Sequence, residues 1–268
     1  MYSQIKVIVK NNLRAILRDR VLYAVLGVAL AMILLVPSLS SFSMRQVQEL
    51  AITLSLSASS LIMLVVTLLL GASSVWRDVE RRYTSTVLTL PLSRGAFLLS
   101  KFISIAIFLV LCATLLGLGS GLVIALASAT YPSDLPIHWG NICLALVGDV
   151  LKYFLLSAFA LLLSTVSTSF YLPFFGTVVI YFCGSASQEV FEYVSGQFGQ
   201  GMSPLAVKTV TLAYYCLPNL SAFDFQIHAV YGLPVSVSGL SLSALYVVVY
   251  VSILLGLAFF AFDRRELP

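Results

Sequence analysis

The residues able to do chemistry are few: two histidines, His138 and His228, four cysteines, Cys112, Cys143, Cys183 and Cys216, and two neighbouring charges, Asp149 and Lys152. A hydrolytic triad needs a histidine and a serine at one depth. Both histidines fall in segments expected outside the apolar spans, and no serine shares a membrane-depth site with either. Gly148-Asp149 offers one carboxylate, but no span holds a second aspartate with which it could share a proton. The cysteines form no CxxC pair and mostly sit in apolar runs, so they define neither a metal site nor a redox compartment. No HExxH occurs, so no metal ligands are expected. The phosphate-cradling GxxxxGK[ST] is also absent. An intramembrane enzyme is therefore the weakest class, and the chain is expected to carry no catalytic residue and no cofactor of its own.

Asp149 and Lys152 are three apart, so on a helix they share a face and can pair. Ionisable residues at membrane depth are functional candidates by default. The alternative is that the fourth span starts near Val150 and leaves both charges at the outer interface, with the lysine snorkelling.

The elements that must position these groups follow from composition. Of 268 residues, 60% are hydrophobic and 10% charged, against roughly 25% charged in soluble domains. Each span needs about 20 apolar residues. Six candidates satisfy this: Val21–Phe42, Glu49–Ser74, Phe97–Ala127, Ile142–Ser167, Phe170–Glu189 and Leu240–Phe262. The expectation is an all-α, polytopic membrane protein with six transmembrane helices, a single domain over 1–268 with little left for a soluble one. Six spans put both termini on one side. On that side fall Lys6, Lys10, Arg14, Arg18, Arg20, Arg77, Arg81, Arg82, Arg94, Lys101, Arg264 and Arg265, twelve of the 15 lysines and arginines. The positive-inside rule makes that side cytoplasmic.

Residues 1–20 read as an interfacial amphipathic helix. Tyr2, Ile5, Val9, Leu13 and Ile16 form an apolar stripe beside Lys6, Lys10, Arg14 and Arg18, a pattern that lies on anionic headgroups or simply begins the first span. Gly117 and Gly121 form a GxxxG on which another helix can approach, inside the chain or between chains. Trp139 anchors an outer loop. Residues 190–239 exceed what a six-helix bundle needs. There Ser203 and Pro204 are a cap and first-turn pair for a helix through Tyr215, broken at Leu217-Pro218-Asn219. The apolar and aromatic residues of this stretch predict short helices half-buried in the outer face.

The longest polar interval between apolar segments is Arg77–Lys101. Val79, Tyr83, Val87, Leu88 and Leu90 recur at spacings near three and four, an amphipathic helix pattern. Pro91 stops it and Ser93 caps the next helix. An ordinary basic cytoplasmic loop reads the same way from pattern alone.

The basic amphipathic start, the six spans, the acidic Glu80 followed by a helical stretch, Leu90-Pro91-Leu92-Ser93-Arg94 and Lys101, the Leu217-Pro218 break and the terminal Phe262-Asp263-Arg264-Arg265 together resemble the type-2 permease family of ATP-binding-cassette transporters. The resemblance covers essentially the whole chain. Members often have Gly-Thr where this sequence has Arg82-Tyr83. It implies that residues 76–96 hold a cytoplasmic coupling helix docking in an ATPase groove, with Val79, Glu80, Arg81, Arg82, Tyr83, Thr84, Val87, Leu88, Pro91 and Arg94 as its contact residues. It implies a separate cytoplasmic ATPase, in two copies, which would carry ATP and magnesium, and a second permease chain as a homodimer or paralogous heterodimer. The cytoplasmic (inner) membrane is the expected location, with no nucleic-acid partner. The expected role is export of a substrate, an amphiphile or lipid-linked or glycan molecule suiting the spans better than a small ion. A relay of conformational change to an extracytoplasmic accessory protein is the other reading.

Overall fold

Every regular element described is helical. The computed structural model describes residues 2–18, 20–42, 46–80, 94–130, 136–196 and 203–264. In chain order these form α1 (Tyr2–Leu17), α2 (Arg20–Ser40), α3 (Val47–Glu80), α4 (Arg94–Thr130), α5 (Trp139–Val166), α6 (Tyr171–Ser195), α7 (Pro204–Cys216), a 3-10 turn at Ser221–Phe223, α8 (Gln226–Tyr231) and α9 (Val237–Asp263).

Four of them are long and apolar enough to cross a bilayer: Val47–Asp78 of α3, Arg94–Thr130, Trp139–Val166, and Ser238–Asp263 of α9. They make this a multi-pass helical membrane protein. Their outward faces agree, since a helix in lipid has no reason to hide its leucines: Leu118 and Leu122 of α4 and Leu242 and Val248 of α9 are all exposed. The first and fifth expected spans coincide with α2 and α6. Of α2, the described apolar run is the shorter Leu26–Ser40. In α6 the second half carries Ser185, Ser187, Gln188, Glu189 and Glu192, which dilute its apolar character, and the helix continues past the expected end at Glu189.

The core is organised by α3 and α5, which pack more extensively than any other pair. They come close because Gly71 has no side chain: a Cβ there would stand 2.5 Å from that of Ala160. One turn on, the Ser164 hydroxyl donates to the Ala72 carbonyl at 3.0 Å and accepts from the Trp76 amide at 3.1 Å. Around this seam Met63, Phe108, Tyr153, Leu156 and Phe223 are buried. Gly117 of the GxxxG faces the same helix, with Leu146 at 2.6 Å from a Cβ built there, and Gly121 faces the Trp139 ring at 3.7 Å. The small-residue face is thus occupied within the chain.

Two expectations change in detail. Part of the apolar stripe of α1 meets protein. Leu13, Ile16 and Leu17 pack against the core, and the Val9 carbonyl lies 3.5 Å from the Ser104 hydroxyl of α4, whose proton goes to the Ser100 carbonyl at 2.6 Å. And no separate helix begins at Val79, because α3 continues unbroken through Glu80. Ser74 was the expected end of that span, yet Ser74 donates to the Gly71 carbonyl at 2.7 Å, and nothing in Val75–Glu80 forbids further turns.

The segment after α6 follows its local signals. Ser203 accepts from the Ala206 amide and Pro204 opens α7, since a proline N–H would be unused there anyway. After the break the chain enters the bundle: Leu220, Phe223 and Ala229 are buried. Two glycines admit its backbone. A Cβ on Gly184 of α6 would be 2.7 Å from the Pro218 carbonyl, and one on Gly148 of α5 would collide with the Phe223 carbonyl and the Phe225 ring. Gly148→Leu should therefore lower the unfolding free energy in detergent by about 1–3 kcal/mol. Gly256→Ala, with open space around it, should change it little. Equal thermal midpoints for the two variants would mean that this segment does not depend on its seat against α5.

Candidate functional site

Lys152 stands at the midpoint of the 28-residue α5, a helix about 42 Å long. It is 8% exposed, enclosed by neighbouring helices. An ammonium that deep needs an anion and further acceptors. Its Nζ lies 2.7 Å from Asp149 Oδ1 and donates to Ser60 Oγ of α3 at 3.2 Å, with the Tyr153 ring centre 5.1 Å away. Helical periodicity sets the first contact, one turn along α5. The α3/α5 seam sets the second.

Ser60 is the junction. Its hydroxyl has one proton and two candidate acceptors, Asp149 Oδ1 at 3.0 Å and the Tyr153 hydroxyl oxygen at 2.7 Å. Tyr153 spends its own proton on the Ser60 carbonyl at 2.6 Å. That carbonyl is already in the α3 ladder, so the tyrosine uses its second lone pair. The four groups form a connected cluster that pins α3 to α5 by polar contacts at mid-helix, where the low dielectric strengthens each contact and makes each unmet group costly.

The cluster is not sealed. It lines a cavity of about 370 Å³ between α3, α5, α6 and the segment after α7, within the size range of ligand sites. Ser57, Tyr181, Asp224 and Gln226 add polar groups to the wall, and Leu56, Leu61, Phe182 and Phe223 supply the apolar part. Gln226 closes one side, its Nε2 donating to the Thr53 carbonyl at 3.0 Å and to Ser57 Oγ at 2.8 Å. The 217–226 stretch is held by Asn219 Nδ2 donating to Gln188 Oε1 at 3.0 Å and by Ser221 Oγ donating to the Ser185 carbonyl at 2.6 Å. Asp224 brings a second carboxylate to the wall, one that arrives from outside the span and so escaped a search for aspartates within it. Such a wall can desolvate and orient a ligand presenting both hydroxyl or charged groups and apolar surface. Among the described residues no three histidine, cysteine or acidic side chains converge as metal ligands.

The basic end of the bundle carries the other predicted residues. Val79 and Glu80 end α3, and Arg94 opens α4. Arg81, Arg82, Tyr83, Thr84, Val87, Leu88 and Pro91 lie outside the described residues. Arg94 Nη1 donates to the carbonyls of Phe262 at 3.1 Å and Asp263 at 2.8 Å, placing a cation on the C-terminal carbonyls of α9. Phe97 and Phe262 stack beneath it, centroids 6.1 Å apart. The start of α4 and the end of α9 are thereby clamped together. Asp78 and Lys101 pair across α3 and α4 at 2.5 Å.

Sequence reasoning singled out Asp149 and Lys152 but missed Ser60, Tyr153, Asp224 and Gln226. Ser60 is one of several serines in its stretch with nothing to mark it, and Gln226 lies far along the chain. No protein-family model matches this chain, and no curated protein matches it.

Proposed function

We propose that this chain is the membrane-spanning permease subunit of an ATP-binding-cassette exporter of the type-2 kind, crossing the cytoplasmic membrane six times with both termini inside. The observation that carries the reading is the pair α3 and α4. They contain 34 and 37 residues, about 51 and 55 Å of helix against a hydrocarbon thickness of about 30 Å. The stretch 81–93, with its amphipathic run and Leu90-Pro91-Leu92-Ser93-Arg94, joins the ends of these two helices. A partner pressing on that stretch would push directly on α3, which carries Ser60 of the mid-bundle cluster, on α4, and through the Arg94 clamp on α9 as well.

Six spans require α2 and α6 to cross alongside the four longer helices, α1 to lie at the inner interface and α7 with α8 at the outer one. The basic end, with Arg14, Arg18, Arg77, Arg94 and Lys101, then faces the cytoplasm. ATP hydrolysis belongs to a separate ATPase present in two copies, and a second permease chain completes the pathway. The cavity around Asp149 and Lys152 is the substrate-facing wall of one half. Beside it a broader groove of about 730 Å³ between α7 and α9 is lined by Tyr214, Tyr215, Tyr246 and Tyr250 among leucines, Phe223 and Val249. Hydroxyl-bearing rings in an apolar wall favour an amphiphile, lipid-linked or glycan in type, over a small ion.

The test is purification of the tagged chain from its native membrane in mild detergent, with protein identification and ATP hydrolysis assays. The expected result is a nucleotide-binding ATPase in stoichiometric amount and hydrolysis that depends on it. A folded chain that emerges alone, or with partners that hydrolyse no nucleotide, would overturn the assignment.

A further inference from the structure

The charges around the mid-bundle cavity do not balance. Among the described residues its lining holds three charged side chains, Asp149, Lys152 and Asp224. Lys152 is matched by Asp149 at 2.7 Å, so the excess is the negative charge of Asp224. That residue is exposed, and among the described residues it pairs with no cation. One of its oxygens accepts from the Gln226 amide at 3.0 Å, and the other has no donor among those residues. Gln226 adds to the same bias. Its Nε2 donates to the Thr53 carbonyl and to Ser57 Oγ, which leaves Oε1 with lone pairs and no described donor. Asp224 also acts electrostatically on Asp149, and two carboxylates facing one cavity repel unless a positive charge stands between them.

We propose that this cavity binds a primary ammonium group carried on an apolar chain, with Asp224 and Gln226 meeting the ammonium and the apolar wall meeting the chain. A primary ammonium brings one positive charge and three N–H donors, the complement of an unmatched carboxylate and an unused amide oxygen. A hydrogen bond with an ionised partner is roughly twice as strong as a neutral one. A metal ion fits less well, because among the described residues no three acidic, histidine or cysteine side chains converge. Much of the wall is apolar instead, and Phe182, Phe223 and Phe225 line it with rings, whose faces attract organic cations. A quaternary ammonium would leave the Gln226 oxygen unmet, since it donates nothing. Lys152 opposes the ligand, but its charge is already matched by Asp149. The assignment rests on the reading of this cavity as the substrate-facing wall and narrows the amphiphile to one with a protonated amine. Binding itself needs no ATPase, so the two fail separately.

The experiment is isothermal titration calorimetry of the purified full chain in lipid nanodiscs, with empty nanodiscs as the partition background. Hexylamine, hexanol and hexanoate are the probes, equal in chain length and different in head charge. An alkylamine is protonated at about pH 7, as lysine is. Wild type should bind hexylamine about tenfold more tightly than hexanol, and hexanoate not measurably. Asp224→Asn should weaken hexylamine about tenfold and leave hexanol unchanged. Asparagine keeps an oxygen for the Gln226 amide, so the turn is retained, and the thermal midpoint checks it. Glu189→Gln removes an exposed carboxylate of α6 that is not on the cavity wall and should change binding little. Equal affinity for hexylamine and hexanol, or no binding above empty nanodiscs, would overturn the ammonium site without recourse to any variant. Equal behaviour of Asp224→Asn and Glu189→Gln would overturn its placement at Asp224. Saturable hexylamine binding by a chain that purifies without an ATPase would keep the site and overturn the exporter assignment instead.

Discussion

Removing either Asp149 or Lys152 alone should cost about 3 kcal/mol of stability, while replacing both together with leucine and methionine should cost far less. The two side chains are 14% and 10% exposed and 2.7 Å apart. Lys152→Ala leaves a carboxylate whose remaining fixed donor is the Ser60 hydroxyl. Asp149→Ala leaves an ammonium whose one remaining hydrogen-bond partner is the neutral Ser60 hydroxyl, with the Asp224 carboxylate elsewhere on the cavity wall. The double replacement removes both desolvation penalties with the attraction, which is why a buried pair is weak evidence of net stability but strong evidence of mutual dependence. Chemical or thermal unfolding of the four proteins in one detergent gives the coupling directly as a double-mutant cycle. A coupling near zero, with single and double variants alike, would mean that water in the adjoining cavity screens the pair. The cluster would then be a solvated wall instead of a structural clasp.

Leu88→Asp should abolish ATPase co-purification and permease-stimulated hydrolysis while leaving the bundle folded. On the proposed reading, which rests on the resemblance to type-2 permeases, Val87 and Leu88 are the apolar anchors of a helix docked in the ATPase, and anchors of that kind carry most of the energy of an interface. An aspartate there would bring an unpaired charge into the partner's pocket. Arg82→Ala, at the predicted rim, should cost at most about 1 kcal/mol of binding. Both positions lie outside the described residues, in the stretch that joins α3 and α4, and on the proposed reading thermal midpoints should match wild type. Retention of hydrolysis and complex by Leu88→Asp at wild-type levels would reduce Arg77–Lys101 to a basic connector. It would remove the docking model while leaving the helical bundle untouched.

The helices were legible in the chain because their signals are local. Apolar runs of span length, Pro218 as a stop, and the Ser203-Pro204 start act within a turn or two of themselves. The ends of α3 and α6 were less legible. Helices outlast their apolar runs when nothing nearby forbids another turn, and Val75–Glu80 and Val190–Ser195 contain neither proline nor glycine. The two faces of α1 were visible as spacing, but not that part of the apolar face would meet α4 instead of lipid, since both are equally apolar partners.

The candidate site divides in the same way. That Asp149 and Lys152 share a face is helical geometry and needs no fold. That they are buried at mid-helix required knowing where α5 begins, and the start at Trp139 depends on packing against the 217–233 stretch, through Asn141 donating to the carbonyls of His228 and Leu233. Ser60, Tyr181, Asp224 and Gln226 come to the same cavity from four places in the chain, and no spacing rule links them. Sequence alone determined that this is a helical membrane protein with basic residues gathered at one end and two charges three apart in an apolar helix. Tertiary structure alone decided that Gly71 and Gly148 would let α5 meet α3 and the late segment closely enough to build a polar cavity around those charges. Burial and long-range hydrogen bonds depend on which surfaces meet, and a one-dimensional pattern of apolar helices leaves many pairings nearly equal in energy.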